Sequence, residues 1–572
     1  MTAPAPITSD EFADGVEALL AEKGLFAVEP KKVRGVYYDR SFLLSNMSVR
    51  DLFAAKAAEF ADRDFLVYGE ERLTVAEAWS QAMRFANWLI TEKGVKTGDR
   101  VAIAMRNYPE WCIAYLGIAA AGAVIVPINS FWQADELRQG LTRAAAKIVV
   151  CDAKRGAAFL PCKEELGLTF VGAREEVEAA DVTFAEIVND SAISATPPPV
   201  QIDPDSDYCL IYTSGTTGKP KGVLLTHRSC INSVMSFSFL LNVAQRLRPE
   251  FPFVPENPSV LVTLPLFHVT ASHTVLLLSF LTGKKLVFLY RWDPIEAGKL
   301  IAKEKITNFI GVPTMAHDLT RHADPEDLVS LVDIATGGAK RPETQLAEQA
   351  ETFPGKSMSS GYGLTETNAL GTHITLQDFL DNPSAAGRVV PPVTQIEAFG
   401  EDGTQLSRGE KGEICIKSPA NFRAYLEDEA ATEAAFHDGG WFRTGDLGYV
   451  DEEGILYILD RSKDLIIRGG ENISCLEVEN MLLSFPGVDE ACVFAVPDEK
   501  YGEIVGATVW SSAGQVDLEK LRAHTAEKLA AFKVPQRLWA SPQSLPRGTT
   551  GKIDKRMIRQ VTAMYPAHYS VD

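Results

Sequence analysis

Paired cysteines and sorting signals are missing from this sequence. Its eight cysteines include no CxxC pair and are matched by no histidine cluster, so neither a zinc site nor a dithiol redox motif is predicted. Scattered thiols are typical of a reducing compartment. The first residues, MTAPAPITSDEFADG, hold acidic side chains and no apolar run, and the final HYSVD matches no prenylation or peroxisomal signal. We therefore expect a cytoplasmic protein.

Positive charge is also in short supply. The chain has 56 Lys and Arg against 76 Asp and Glu, a formal net charge of −20. Such a field repels the phosphate backbone of nucleic acids, so no nucleic-acid partner is expected. A small anionic substrate must then be bound by a local positive pocket, which makes lysines and arginines in glycine-rich loops the residues of interest.

Residues 111–132 (WCIAYLGIAAAGAVIVPINSFW) contain no charged side chain. Its length would suffice for a membrane span. Gly117, Gly122 and Pro127 interrupt it, however, and a buried helix, a glycine turn and the strand AVIVPI explain it at least as well. We expect this second structure, and hence no integral membrane segment.

Helical and strand patterns alternate from about Ser48 onward. Thr74 and Glu77 have capping-box spacing ahead of apolar residues that recur at helical intervals. Short apolar runs, typical of strands buried on both faces, follow at 101–105, 147–151, 208–212, 259–264, 285–289 and 308–312. A chain of 572 residues that is 46% hydrophobic can fill more than one core. We predict an α/β fold of layered subdomains.

The rhythm changes towards the end of the chain. Between Gln395 and Tyr457 the segments EDG, GEKG and DEEG separate alternating strands, which predicts a small antiparallel β subdomain. After Asp460 a charged stretch and a Gly-Gly turn lead into a shorter set of helices and strands. We predict a large N-terminal domain over 1–460 and a small, mobile α+β C-terminal domain over 461–572.

The most informative motif is residues 212–222, YTSGTTGKPKG, at the end of a predicted strand. Backbone N–H groups and hydroxyls in such a loop can wrap around a polyphosphate. The loop is not a Walker A motif, because Pro220 follows Gly218-Lys219 and Thr213 holds the position of the required first glycine. It predicts a nucleotide site of another kind.

With this loop the chain resembles the adenylate-forming superfamily of acyl-CoA synthetases, carrier-protein adenylation domains and luciferases. The resemblance continues in order from about residue 50 to 560, through the motifs at 360–367 (SGYGLTET), 441–446 (WFRTGD), 460–464 (DRSKD), 468–472 (RGGEN) and 546–552 (PRGTTGK). It implies an N-terminal AMP-binding domain followed by a mobile C-terminal domain.

The chemistry of that family explains the residue types. A carboxylate that attacks the α-phosphate of ATP is already ionised, so the site needs cations and hydroxyls rather than a general base. By resemblance, the catalytic residues are Lys552, Thr365, Glu366 and His268; ATP or AMP is bound by Thr213, Ser214, Gly215, Thr216, Thr217, Gly218, Lys219, Gly337, Gly338, Ala339, Gly361, Tyr362, Gly363, Asp446 and Arg461; Mg²⁺ is held by Glu366 and Thr216; Lys463 is the hinge; and Gly469 and Gly470 border the CoA tunnel.

Individual roles follow from the side chains. Asp446 can accept hydrogen bonds from a ribose diol, with Arg461 supporting the same sugar. The resemblance places Tyr362 against adenine and Lys552 between the substrate carboxylate and the α-phosphate. A lone histidine is often a packing residue, so His268 could instead be structural.

The sequence thus predicts a carboxylic acid:CoA ligase that uses Mg-ATP and forms acyl-AMP, then acyl-CoA. The apolar region 226–314 favours a medium- or long-chain fatty acid, with an aryl or other bulky hydrophobic acid as the alternative. Two further alternatives are a stand-alone adenylating enzyme that acylates a carrier protein or amine, and a catalytically silent nucleotide-binding protein. The presence of Lys552, Glu366, Asp446 and Arg461 together argues against the silent protein. A fatty substrate would permit transient membrane contact, and relatives suggest a homodimer.

Overall fold

The computed structural model describes residues 6–213, 221–337, 343–461, 464–468, 471–548 and 552–570. Two large sheets build most of this part of the chain, and a third sheet follows near its end. An antiparallel pair, Val28–Val33 and Val36–Phe42, lies near the start. Within these residues no helix is both long and apolar enough to cross a bilayer.

The first sheet has a parallel centre and an antiparallel edge. Its strand order across the described residues is Ala424–Tyr425, Lys221–Thr226, Asp207–Thr213, Val124–Pro127, Arg100–Ala104, Ile148–Cys151, Thr169–Gly172 and Val182–Thr183. Its central strands are buried on both faces, which explains why they appear in the sequence as continuous apolar runs.

The second sheet is parallel in its middle and antiparallel at both ends. Its order over the described residues is Gln395–Phe399, Gly412–Lys417, Trp441–Val450, Ile455–Arg461, Gly387–Val389, Gly371–Thr375, Ser357–Gly363, Asp333–Gly337, Asn308–Gly311, Ser259–Val262, Lys285–Phe288, Asp64–Tyr68 and Glu71–Thr74, with Phe436–His437 beside Trp441–Val450. The predicted strands at 259–264, 285–289 and 308–312 are confirmed, each ending slightly earlier than the apolar run.

Helices cover the faces of these sheets. They are Ser9–Ala21, Val49–Glu59, Val75–Thr91, Pro109–Ala120, Ala134–Ala144, Ala153–Phe159, Lys163–Leu166, Phe184–Asn189, His227–Leu247, the π-helix Thr270–Leu277 with its continuation Leu278–Thr282, Pro294–Glu304, Pro313–His322, Glu343–Thr352, Leu376–Asp381 and Glu429–Ala434. The predicted capping box is present, because the Thr74 hydroxyl accepts from Glu77 N and the Glu77 carboxylate accepts from Thr74 N.

The uncharged stretch 111–132 is a buried helix, a turn and a strand, as predicted. Pro109–Ala120 is buried along its whole length. A Cβ atom at Gly117 would stand 2.7 Å from the Ala82 carbonyl oxygen, so the helices approach too closely there for any side chain. Gly122 has a φ of +75°, which ends the helix before Val124–Pro127.

The antiparallel subdomain differs from the prediction in its connections. EDG forms a tight turn, after which Gln405 pairs with Phe399 in an antiparallel bridge, and DEEG forms a short hairpin turn. GEKG instead lies in the longer connection that leads to Gly412–Lys417. The strands also extend the second sheet instead of forming a separate one. They nevertheless have a core of their own, made by Ile396, Ala398, Ile414, Ile416, Val450 and Leu456.

The third sheet forms the small C-terminal domain. Its strands run in the order Glu471–Ile473, Ile466–Arg468, Gly502–Trp510, Arg537–Ala540 and Tyr569–Ser570, with Glu490–Asp498 paired to Gly502–Trp510. The accompanying helices are Cys475–Leu483, Leu518–Lys528 and Lys555–Thr562. The predicted small α+β domain is therefore confirmed, while its boundary at 460/461 stays a prediction.

Two buried histidines should make the folded protein less stable in acid. Burial lowers the pKa of both His227 and His273 to about 3. Between the pKa of an unfolded histidine, about 6.5, and that value the unfolded chain binds more protons, so the free energy of unfolding falls as the pH drops through this window. We expect a loss of up to about 2 kcal/mol per histidine between about pH 6.5 and about pH 5.

Urea unfolding at about pH 7 and about pH 5 measures this effect. His273→Gln should reduce the pH dependence by one histidine's share, and exposed His322→Gln should leave it unchanged. An unaltered slope in His273→Gln would show that this imidazole is not a source of the acid sensitivity.

Candidate active site

The glycine-rich loop starts and ends on neighbouring strands of the first sheet. Thr213 ends one strand and pairs with Lys221, which opens the next, and the Thr213 hydroxyl donates to the Lys221 carbonyl at 3.4 Å. The two strands therefore close the base of the loop. The predicted nucleotide-binding residues Ser214, Gly215, Thr216, Thr217, Gly218 and Lys219 lie outside the described residues.

Close backbone approach explains Gly363 in the second sheet. Gly337 and Gly361 are register partners at the ends of two parallel strands. A Cβ atom at Gly363 would lie 2.1 Å from the Ala369 carbonyl oxygen, so no side chain fits where the chain turns towards Thr365. Gly338 and Ala339, predicted to flank adenine, lie outside the described residues.

Asp446 is the centre of a hydrogen-bonded group. Tyr362 Oη donates to Asp446 Oδ2 at 2.6 Å, and Arg461 Nε donates to Asp446 Oδ1 at 3.0 Å. Asp446 and Arg461 are register partners on adjacent strands, which explains how residues 15 positions apart meet. Asp446 is buried, while most of the Arg461 side chain is exposed. The structure thus brings together three of the residues predicted to bind the nucleotide.

Glu366 is held by hydrogen bonds from Phe422 and Tyr425. It lies in the 3₁₀ turn Thr365–Thr367. Its backbone carbonyl accepts from Phe422 N at 2.6 Å, and its Oε1 accepts from Tyr425 Oη at 3.0 Å. Burial raises the pKa of Glu366, although the Tyr425 hydrogen bond and the charges of Arg461 and Lys221 oppose the rise. A nearby cation would restore the charged form.

Lys552 and His268, from opposite ends of the chain, lie close enough for the charge of Lys552 to act on the imidazole. The Lys552 side chain keeps solvent access, yet burial lowers its pKa, as does Arg461, while Asp446 raises it. Burial lowers the pKa of His268 to about 4, with a further contribution from the charge of Lys552. His268 Nε2 has no hydrogen-bond partner among the described residues, which is an unfavourable arrangement for a buried polar atom.

The hinge region is described only at its edges. Lys463, Gly469 and Gly470 lie outside the described residues, so their predicted roles remain predictions. Beside them the Ser474 hydroxyl donates to the Leu459 carbonyl at 2.9 Å and Leu476 N donates to Asp460 Oδ2 at 3.4 Å. These contacts hold the helix Cys475–Leu483 of the small domain against the strand Ile455–Arg461 of the second sheet.

Sequence reasoning missed two positioning residues. Asn107 accepts from Leu266 N at 3.0 Å and donates to the Leu264 carbonyl at 2.8 Å, and so holds the loop that carries His268. Tyr425 anchors Glu366 and carries the Lys221 ammonium 4.6 Å above its ring. Asn107 lies three residues after the end of the strand Arg100–Ala104, a signal that could have been used. Tyr425 has no such local signal.

These features define an adenylate-forming acid:CoA ligase with a large and a small domain. They are the glycine-rich sequence at 212–222, the buried Asp446 between Tyr362 and Arg461, and Lys552 of the small domain. The chain belongs to the AMP-binding enzyme family, whose profile matches residues 53–426. The profile of the AMP-binding enzyme C-terminal domain matches residues 477–552.

Curated and solved relatives agree with this assignment. The long-chain-fatty-acid–CoA ligase FadD13 of Mycobacterium tuberculosis is 34% identical, over 86% of this chain and 93% of its own length. The long-chain-fatty-acid–CoA ligase of Bacillus subtilis is 31% identical, over 90% and 94%. The structure of o-succinylbenzoate coenzyme A synthetase from Bacillus subtilis with ATP and magnesium matches with a TM-score of 0.75 at 29% identity, covering 89% of this chain and 99% of that one.

Proposed function

We propose that this enzyme activates a medium- or long-chain fatty acid, with Mg-ATP and coenzyme A as co-substrates. The observation that carries the proposal is the hydrogen-bonded pair of Asp446 and Arg461, whose charges both act on Lys552. The charge of Lys552 in turn acts on His268. The names of the two curated relatives support a long-chain acid.

In the first step a carboxylate oxygen attacks the α-phosphorus of ATP, and the bond to pyrophosphate breaks. Asp446 would accept from the ribose hydroxyls while Arg461 and Tyr362 keep its carboxylate in place. Lys552 would neutralise the charge that develops between the acid and the α-phosphate. With its pKa at about 4, His268 is neutral near pH 7 and adds no charge to this step.

Glu366 is the described residue best suited to hold Mg²⁺. Among the described residues no group of three or more histidine, cysteine or acidic side chains could bind a metal, and Glu366 would hold the ion together with phosphates and water. This arrangement fits Mg²⁺, which usually takes only one or two protein carboxylates in nucleotide sites. Bound there, the ion would neutralise phosphate charge. Thr216 is proposed as a second ligand by resemblance.

Tyr425→Phe should weaken the cation's contribution to ATP binding. Without the hydroxyl, Glu366 Oε1 loses a hydrogen bond of 3.0 Å that orients the carboxylate. We expect the Mg²⁺-dependent gain in ATP affinity, measured by calorimetry, to fall about tenfold. Tyr449→Phe, whose ring stacks on Tyr457 away from Glu366, serves as the control. An equal loss of ATP affinity without divalent cations would contradict the role.

The acid would lie beside His268. Thr263 donates to the Ile310 carbonyl at 2.5 Å and so joins the His268 loop to the neighbouring strand. Ile310 there and Met315 on the following helix are apolar and only partly buried, which leaves apolar surface for an acyl chain.

In the second step the thiol sulfur of coenzyme A attacks the acyl carbon, AMP leaves, and the thiol proton passes to solvent. We propose that rotation about Lys463 withdraws Lys552 and brings Gly469 and Gly470 to the tunnel. One site can then serve two reactions in turn.

The test is coenzyme A-dependent release of AMP and pyrophosphate across medium-chain, long-chain and aryl acids. Thioester formation with fatty acids is the expected result. Pyrophosphate release without thioester would instead favour a carrier protein or an amine as acceptor, and a preference for aryl acids would overturn the proposed substrate class.

A further inference from the structure

A hairpin near the start of the chain is extended by no other described strand. Its strands, Val28–Val33 and Val36–Phe42, form a sheet of two, and Arg34 and Gly35 form the turn between them. Isolated hairpins are at best marginally stable in water. The AMP-binding profile matches residues 53–426, so the hairpin lies outside it. Its presence beside the large domain therefore needs a separate explanation.

The turn holds an arginine in an unfavourable backbone conformation. Arg34 has a φ of +47° and Gly35 a φ of +86°. Positive values at both central residues are typical of a type I′ turn, in which asparagine is preferred at the first position. Left-handed backbone is unfavourable for most residues that carry a Cβ atom. Residues held in such conformations are concentrated at functional sites, which draws attention to the Arg34 side chain.

The Arg34 guanidinium contacts two backbone carbonyls. Its Nη2 donates to the carbonyl oxygens of Asn421 and Phe422 at 3.1 Å and 3.3 Å. Both of those residues are buried. Although Arg34 as a whole is exposed, burial of its guanidinium lowers its pKa. No described carboxylate forms an ion pair with Arg34, whereas neighbouring Arg423 pairs with Asp207 at 2.6 Å. The charge of Arg34 is therefore directed at the carbonyls.

A single peptide group connects Arg34 to Glu366. The Asn421 carbonyl and the Phe422 N–H belong to one planar unit and point in opposite directions. The carbonyl accepts from Arg34, while the N–H donates to the Glu366 carbonyl at 2.6 Å. Hydrogen bonds in such a chain polarise one another, so a cation at one end strengthens the bond at the other. Arg34 thus acts on the backbone of Glu366 from the far side of this peptide.

The hairpin is itself held at both ends, as a residue that fixes another segment requires. At its tip Val36 packs on Gly440, where a Cβ atom would stand 2.6 Å from Val36 Cγ1. Gly440 directly precedes the strand Trp441–Val450. At the opposite end Phe42 N donates to Asn232 Oδ1 at 3.0 Å. The tip therefore has a defined place against the large domain.

We propose that Arg34 is a positioning residue for Glu366, the carboxylate proposed to hold Mg²⁺: it fixes the peptide between Asn421 and Phe422, and this peptide fixes the turn that carries Glu366. The inference rests on the proposed function and adds a residue from outside the AMP-binding profile. Tyr425 of the same segment donates to Glu366 Oε1 at 3.0 Å. A displaced segment would therefore disturb both the backbone and the carboxylate of Glu366.

Arg34→Asn tests the contact in the protein without ligands. The substitution removes the guanidinium and creates the asparagine-glycine sequence that type I′ turns prefer, so the melting temperature should be retained. We expect the backbone amide of Phe422 to exchange with deuterium about tenfold faster, measured by mass spectrometry on the fragment that contains it, without ATP or Mg²⁺. Lys32→Asn, the same change at an exposed cation of the hairpin, should exchange like wild type.

The same variants test the consequence for the cation. In Arg34→Asn the Mg²⁺ concentration that gives half-maximal exchange of pyrophosphate into ATP should rise about tenfold. ATP affinity without divalent cations should not change. Arg34→Lys, which keeps a charged donor, should recover part of both effects, and Lys32→Asn should again match wild type.

Unchanged exchange at Phe422 in Arg34→Asn would overturn the assignment. Faster exchange throughout the large domain together with a lower melting temperature would also overturn it, because the hairpin would then only support the fold. An equal loss of ATP affinity with and without Mg²⁺ would exclude the link to the cation. A wild-type enzyme that activates no acid would refute the proposed function, whereas the ligand-free exchange would still decide whether Arg34 holds the Glu366 segment.

Discussion

Replacing Lys552 with alanine is expected to slow acyl-adenylate formation about a thousandfold. Lys552 is supplied to the cleft by the small domain, and the charges of Arg461 and Asp446 act on it there. It would contact charge that develops only during attack on the α-phosphate, so its loss should lower the rate more than it weakens ATP binding. Acid-dependent exchange of pyrophosphate into ATP measures this step alone.

The second half-reaction separates this role from a structural one. Given synthetic acyl-AMP and coenzyme A, the Lys552→Ala enzyme should form thioester at nearly the wild-type rate, because Lys552 is proposed to leave the site before that step. Lys520→Ala, an exposed lysine of the same domain, is the control. Equal losses in both half-reactions would contradict the proposed division of labour.

Asp446→Asn should raise KM for ATP between about tenfold and a hundredfold, with a smaller change in kcat. The substitution keeps the shape of the side chain but removes the charge that strengthens hydrogen bonds to the ribose and to Arg461 Nε. ATP affinity by calorimetry and KM from pyrophosphate exchange should change in parallel.

Asp438→Asn provides the comparison, since Asp438 is exposed and shortly precedes the strand that carries Asp446. An unchanged KM for ATP in Asp446→Asn would show that the carboxylate orients Tyr362 and Arg461 without binding the nucleotide. In that case Tyr362→Phe, which removes the 2.6 Å hydrogen bond to Asp446 Oδ2, should also leave KM for ATP unchanged.

Local sequence patterns predicted most of the secondary structure. The capping box at Thr74, the helix-turn-strand reading of 111–132 and the buried strands were correct because short-range propensity and burial favour the same structure there. The hairpin predicted at GEKG was wrong, because a turn signal does not reveal which of the flanking segments pair.

The candidate site was predicted unevenly. Asp446, Arg461 and Tyr362 were identified by motif, and the structure places them in hydrogen-bond contact. Tyr425 and Asn107 were missed, since each acts on a residue far along the chain: Tyr425 on Glu366, and Asn107 on the loop before His268. Such contacts leave no periodic or spacing signal in one sequence.

The sequence by itself determined the alternating helices and strands, the absence of paired cysteines, and the ordered motifs that identify the family. These features depend on residues close together in the chain, where backbone propensity and side-chain chemistry act directly. Only the tertiary structure decided that Lys552 lies near His268 and Asp446, that Tyr425 holds Glu366, and that Arg34 contacts the carbonyl of Asn421. Those arrangements depend on strand order, register and the docking of two domains, which bring together side chains from tens to hundreds of residues apart.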